Sequence, residues 1–511
     1  MRRPSLQLGP TKRVVAHHTD PATFDALLAP RDDWMVRERT ADRPAAHPGP
    51  YELDEGPFRT WSRSVEPSAD GGLTETTEFR LATPLLAAPF GALYAWAIRN
   101  RRLHPDAPFW APPQRFDAQG AHAFTLLIAA TMAAAYLGTL LSQTISFVAD
   151  DFGADRGTQG LVTGMTRVGA LLSLLIVYLA DRVGRRRMLV AAGLGASVFA
   201  VTAAASTNIW FFGSAELVSR GLTTGLGLLI GIFAAEEAPA GSRAWTASIL
   251  ALFAGLGSGM VLWLIPLADT STGGWRILFL VAALAIPVII ALGRRLPESR
   301  RFTTMTERKA EPAPITSAMR RRFTMLAMVG FATSLFAAPS SNFQNEYLRD
   351  ERGFSGTQIS LFSTVTSTPI GIGVAIFGPM ADRRGRRIIG AIGILAGVGF
   401  NVVRYGFGGP LMWIAGTLST IIGAAAIPAL GVYGPEMFPT SRRGLANGLL
   451  TLVAVVGSVI GLAFVGEMSE RWSFGATFAV LAIVPILATA ILRWYPETAQ
   501  KALEELNPED G

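Results

Sequence analysis

LADRVGRRRM (Leu179–Met188) and MADRRGRRII (Met380–Ile389) are two writings of one phrase, 201 residues apart. Each is an acid followed by a dense basic turn, and each lies between long apolar stretches. Lipid offers the backbone no hydrogen-bond partner, so apolar runs long enough to cross it must be helices. The repeated phrase therefore reads as one loop presented twice, on one side of a bilayer, by two homologous halves.

The composition supports this reading. Half of the 511 residues are hydrophobic and 16% are charged, which is not the surface of a soluble multi-domain chain. From about residue 124 to 492 the apolar segments run close to the roughly 20 residues that a crossing needs. The formal charge of +7 would suit nucleic acid if it were spread over a surface. It is instead gathered at Arg182–Arg187, at Arg383–Arg387 and between Arg294 and Arg322, where the positive-inside rule marks cytoplasmic loops at a lipid surface. The chain has no cysteine, which excludes disulfides and thiolate chemistry. All five histidines precede residue 123, so a histidine relay inside the crossings is excluded. No metal-ligand pattern, cofactor motif or phosphate-binding loop is evident, and the chain does not read as an enzyme.

The expected fold is an all-α multi-pass membrane protein with twelve transmembrane helices in two parallel six-helix repeats. Residues 121–292 and 323–492 form the two bundles, 293–322 a cytoplasmic connector and 493–511 a cytoplasmic tail. The eighth crossing reads as one helix over 356–380. The repeat extends beyond its first phrase: Glu236, Pro239 and Arg243 recur as Glu436, Pro439 and Arg443, and LPES (Leu296–Ser299) recurs as YPET (Tyr495–Thr498). Six crossings per unit keep both copies in one orientation. Residues 1–120 read as a small cytoplasmic α+β accessory region, with strands pairing across a turn at Ser68–Gly72 and a helix over about 88–100. That helix either packs on the strands or lies among lipid headgroups.

On these motifs the chain resembles the major facilitator superfamily of secondary transporters over about residues 122–498. GPMADRRGRR (Gly378–Arg387) fits that family's loop pattern fully, and the first copy departs from it only by Val177 at the leading glycine. The resemblance implies gating latches between the halves, formed by Asp181, Arg182, Gly184, Arg185 and Arg186 and by Gly378, Asp382, Arg383, Gly385, Arg386 and Arg387. Glu236, Arg243, Glu436 and Arg443 belong to the same gating set. PEMFPTSRRG, LPESRR and YPET are similar to motifs of the sugar porters and their organic-ion relatives, the metabolite:proton symporter-like members. These loops inform gating and subfamily rather than substrate.

Ionisable groups inside crossings are costly and usually face a bundle interior or an aqueous cavity. Glu216 and Arg220 are four apart on one helical face and can neutralise one another. By the resemblance, an arginine here lies near the coupling site. Arg167 has no local acid, and either lines the cavity or snorkels to the surface; Arg404 reads as a snorkelling arginine. Proton-coupling candidates are Glu216 and then Asp150. Polar residues on apolar helices mark a solute path: Tyr136, Gln143, Arg167, Trp263, Ser341, Gln344 and Asn345. The alternative for Gln344 and Asn345 is that they, with Glu346, mark the wet end of their helix.

The expected function is secondary active transport of a small organic solute across the cell membrane by alternating access, coupled to protons. The protein is expected to act as a monomer in the lipid bilayer, without cofactor, nucleic acid or metal. Proton-driven efflux of a drug or metabolite is the alternative within transport. A membrane-bound sensor or scaffold, with residues 1–120 as its binding region, is the alternative class.

Overall fold

The computed structural model describes residues 11–40, 50–83, 87–100, 111–112, 114–239, 242–298, 316–431, 433, 437–438 and 440–497. Eleven helices among them are long and apolar enough to cross a membrane. Crossings 1 to 6 are Ala118–Asp151, Arg156–Gly169 with Leu172–Val183, Arg185–Ala204, Ile209–Glu237, Arg243–Ala268, and Trp275–Val281 running through a 3-10 turn into Ala285–Arg295. Crossings 7 to 12 are Ser317–Asn342, Gly356–Ser367 with Ile370–Arg384, Arg386–Gly406, Gly409–Gly423 with Ala426–Leu430, Thr440–Met468, and Phe474–Thr489. The eighth, expected as one helix, is two pieces separated at Thr368–Pro369, because the proline ring cannot continue a regular ladder. Crossing 2 is interrupted at the equivalent place, Ala170–Leu171, so both halves share the break.

Local chemistry sets where the crossings begin. Asp155 accepts the Thr158 N–H at the start of crossing 2, and Ser355 forms a capping box with Gln358 at the start of crossing 8, each satisfying amides that have no intrahelical partner. Between crossings 2 and 3, and again between 8 and 9, the chain turns at Gly184 (φ 111°) and Gly385 (φ 99°). A side chain at either position would be strained.

The face of the bundle carrying these two turns is called the basic face below, and its opposite the far face. LPES and YPET act at the basic face. Glu298 accepts the backbone N–H of Arg186 at 3.0 Å, and Glu497 accepts that of Arg386 at 3.0 Å. A carboxylate from the end of crossing 6 or 12 thus sits at the positive N-terminus of crossing 3 or 9, where a negative charge is favoured.

The accessory region is a five-stranded antiparallel sheet in the order β1-β5-β4-β3-β2, with β1 Lys12–His18, β2 Arg37–Thr40, β3 Tyr51–Glu55, β4 Phe58–Pro67 and β5 Leu73–Leu81. The turn expected at Ser68–Gly72 joins β4 to β5. The helix Ala87–Arg99 packs on the sheet, burying Tyr94 and Ile98 against Val14, Phe58, Trp61 and Phe79. Within the sheet a fully buried Arg63 donates to Glu38 and to the Leu27 and Ala29 carbonyls, an arrangement that offsets the cost of burying the charge.

This domain sits on the basic-face ends of crossings 1 and 5. Arg115 donates to Asp32 at 2.6 Å and to Glu55 at 3.2 Å, and Gln114 and Ser242 exchange two hydrogen bonds. Phe116, Phe124 and Trp245 stack beneath them.

Candidate functional site

Crossings 2 and 4 meet through glycine. A Cβ on Gly169 would collide with the Leu217 carbonyl, and one on Gly221 with the Gly169 carbonyl. The close approach brings Arg167 of crossing 2 beside Arg220 of crossing 4 as like charges. Glu216 lies one turn from Arg220, 2% exposed, with its Oε1 lacking a hydrogen-bond partner.

Glu216 and Arg220, which helical spacing allows to neutralise one another, make no close ion pair among the described residues. Arg220 instead donates through Nη1 to the carbonyl of Gly138 in crossing 1, which no Cβ of its own shields. Arg167 does not snorkel free of the bundle. It is half-buried next to Arg220, and it has no hydrogen bond or ion pair among the described residues. Burying two cations against one carboxylate leaves a positive excess in a poorly solvated place.

One turn along crossing 4, Thr223 and Thr224 border a cavity of about 530 Å³ between crossings 1, 4 and 5. The Thr223 hydroxyl is buried and has no partner. The walls are otherwise small or apolar, including Ala135, Gly227, Gly231 and Leu250. Such a pocket, with a few convergent polar groups at one end, has the form of a small-molecule site.

The second half is built differently. Arg404 is 7% exposed rather than snorkelling. It donates to Gln344 Oε1 at 2.6 Å and to the Ser340 carbonyl and hydroxyl at 3.2 Å, and its guanidinium lies 4.6 Å from the Tyr405 ring centre. Gln344 also donates to Ser363 at 3.0 Å. Asn345, 1% exposed, donates to the Gln143 carbonyl and side chain across the two halves. Gln344 and Asn345 are therefore buried connectors between helices, not a wet helix end. Asn401 and Ser419 extend the network.

The remaining path candidates are dispersed. Tyr136 donates to the Leu278 carbonyl of crossing 6 at 2.7 Å, within the first half. Trp263 is 59% exposed. Ser341 is exposed and donates back to the Ala338 carbonyl of its own helix. Asp150 is at the far face, paired with Arg349 at 2.9 Å.

Contacts between the halves concentrate at the far face. Arg156 reaches Glu346 at 2.7 Å and the Ser469 carbonyl at 2.7 Å. Gly356 donates to Asp269 at 2.7 Å, and Gly160 packs on the Leu462 carbonyl. At the basic face the described ion pairs stay within one half: Arg185 with Glu236, and Arg387 with Glu497. Arg182 lies over Tyr178 of its own helix, and Arg186 donates to the Gly293 carbonyl. The side chains of Asp181, Asp382, Arg383, Arg243 and Arg443, together with Gly378 and Glu436, lie outside the described part. Glu298 and Glu497 were not singled out as gating residues from sequence, although their repeated motifs carried the signal. Glu346, read from sequence as part of a wet helix end, is instead buried and paired with Arg156 across the seam.

Comparison with known proteins is consistent with this architecture. A putative metabolite transport protein of Haemophilus influenzae is 28% identical over 387 residues, 71% of this chain and 93% of that protein. A cis,cis-muconate transport protein of Acinetobacter baylyi is 25% identical over 67% of this chain and 86% of its own length. A stretch of 194 residues is 31% identical to 40% of the 4-hydroxybenzoate transporter PcaK of Pseudomonas aeruginosa. In fold, the chain is similar to the xylose transporter XylE from E. coli in an inward open conformation, with a TM-score of 0.60 at 18% identity over 76% of this chain and 98% of that one. The nucleoside transporter NupG gives 0.61 at 14% identity over 73% and 99%. The Major Facilitator Superfamily profile matches residues 125–344 and 326–510. Two six-helix halves, a shared loop phrase and these matches identify the chain as a member of the Major Facilitator Superfamily, a secondary transporter of small organic solutes embedded in a membrane by many crossings.

Proposed function

We propose that the protein carries a small organic acid, as its carboxylate, together with a proton across the cell membrane. The basic face and both chain termini lie in the cytoplasm, and the unit is a monomer. The observation that carries this reading is Arg167, half-buried beside Arg220 without a partner of its own. The two guanidinium groups and the Thr223 hydroxyl offer donors suited to a carboxylate, next to a cavity whose apolar wall suits a hydrocarbon body. Two relatives named as transporters of 4-hydroxybenzoate and cis,cis-muconate support the same class. The loop arginines favour the stated orientation through the positive-inside rule.

Coupling follows from charge balance. In the empty site, Arg220 supports the ionised form of Glu216. A substrate carboxylate that engages both arginines withdraws that support, and a buried carboxylate left beside another anion takes up a proton. Anion and proton then travel together, so the site carries the same net charge loaded as empty.

The test is uptake into proteoliposomes of labelled aromatic and unsaturated carboxylic acids, with sugars and organic cations as controls, with and without an inward proton gradient. Saturable carboxylate flux driven by the gradient is expected. Flux of neutral sugars alone, or carboxylate flux indifferent to the gradient, would refute the organic-acid reading or the coupling respectively.

A further inference from the structure

The far-face seam encloses a second cavity, of about 340 Å³, which the transport site does not use. Five carboxylates face it: Asp150 and Asp155 from the first half, and Glu346, Asp350 and Glu470 from the second. Two guanidinium groups oppose them, and each crosses the seam. Arg156 binds Glu346 at 2.7 Å and Asp350 at 3.3 Å, and Arg349 binds Asp150 at 2.9 Å. Glu467, the next acid along crossing 11, is paired with Arg471 at 2.6 Å. The closed seam thus holds more negative than positive charge, contributed by both halves.

Glu346 differs from its neighbours in burial. Its side chain is 4% exposed, against 64% for Asp150 and 36% for Asp350. Its Oε2 has no hydrogen-bond partner, and neither do two other buried polar atoms lining the same cavity, the Ser146 hydroxyl and Gln159 Nε2. A solvated carboxylate titrates near 4.3. Glu346 lies just beyond the end of crossing 7, where burial pushes it up to about 7, with Asp350 adding to the rise and Arg156 and the facing Gln159 side chain opposing it.

We propose that Glu346 is a proton-binding site of the far-face gate, and that proton uptake there favours the closed seam. The sign follows from linkage. When the halves part at this face, Glu346 enters water and recovers ordinary acidity, so the closed state binds the proton more tightly and acid favours closure. Protonation also removes one of the excess negative charges that repel across the seam. On the orientation proposed above, the gate responds to external pH. The inference needs only that orientation and is independent of what the carrier transports.

The absence of cysteine allows clean placement of two spin labels, at Thr207→Cys in the first half and Trp472→Cys in the second, both exposed. In reconstituted full-length protein, pulsed dipolar distances at pH 8.5 and pH 5.5 read the populations of the seam. The closed-to-open ratio is expected to rise about tenfold or more toward acid, the direction that a carboxylate more basic in the closed state requires. Glu346→Gln, which resembles the protonated acid, is expected to show the short distance at both values. Glu346→Asp is expected to keep the transition with a displaced midpoint. Equal wild-type distances at the two values, or a Glu346→Gln transition like the wild type's, overturns the proposal. Should Glu346→Gln fail to insert, an unmoved midpoint in Glu346→Asp overturns it as well. Because distances rather than flux are read, failure here leaves the organic-acid reading standing, and failed carboxylate uptake leaves this one standing.

Discussion

The two halves descend from one pattern, yet they bury their polar groups in opposite ways. In the second, Arg404 is held by Gln344 and Ser340, and Tyr405 both lies under its guanidinium and donates to the Ser340 carbonyl at 2.6 Å, which leaves Arg404 Nε and Asn345 Oδ1 as the buried atoms of this network without a hydrogen-bond partner. In the first, Arg167 has no hydrogen bond or ion pair among the described residues, one oxygen of Glu216 has no hydrogen-bond partner, and the Thr223 hydroxyl is idle. A satisfied network holds helices in one arrangement. An unsatisfied one keeps its interaction energy for a guest that arrives later, as a carrier requires if binding is to drive a conformational change. On the function proposed above, this contrast places recognition around Arg167 and Arg220 in the first half and bracing around Arg404 in the second.

The sharpest way to break that assignment is Arg220→Leu against Arg404→Leu. Arg220→Leu is expected to reduce carboxylate uptake by about 100-fold, the scale of roughly 3 kcal/mol from a buried charge-assisted contact, with a melting temperature close to wild type. Arg404→Leu is expected to destabilise the protein by about 2 kcal/mol, since Gln344 loses its donor in a buried place, with flux per folded molecule retained. Uptake in liposomes and thermal melts in detergent, measured on both variants, would overturn the assignment if the two phenotypes were exchanged.

A smaller effect probes the symmetry itself. Glu298→Gln and Glu497→Gln each remove a negative charge from a helix N-terminus and are each expected to cost about 1 kcal/mol. Similar losses would show that the two copies do the same work, while a loss confined to one would show that the halves have diverged here too. Chemical denaturation of each variant measures this. The smallest effect lies at the accessory domain. The Arg115 guanidinium holds Asp32 below the usual carboxylate range. A carboxyl depressed in the docked state contributes at all pH values above its ordinary pKa and loses that contribution only as the solution falls through the depressed value. The contribution of Asp32 to docking is therefore expected to be flat from pH 5 to 8. Asp32→Asn is expected to weaken it by about 0.5 kcal/mol, as for an exposed pair, seen as faster hydrogen exchange around Gln114 and Arg115.

Much of this was legible in the chain. The repeated phrase located both tight turns, and a glycine two residues after the first arginine of each copy is a demand any reader of backbone geometry can recognise. Apolar length located the crossings, and proline marks the break in the eighth once its position is seen. What escaped was partnership across distance. Arg404 reads as a surface-seeking arginine until Gln344, sixty residues earlier, supplies an acceptor. Glu216 and Arg220 read as a pair because helical spacing alone cannot show the Gly138 carbonyl of another crossing. The accessory sheet gained β1 and β2 as well: β1 pairs with β5, far along the chain, and β2 is a short strand pairing with its neighbour β3.

Glu298 and Glu497 tie the last crossing of each half to its third. Mechanically, this ties each half into a unit that bears its own load. A carrier of this design is expected to work when its two halves are supplied as separate polypeptides, with assembly becoming a matter of mass action between ready-made parts.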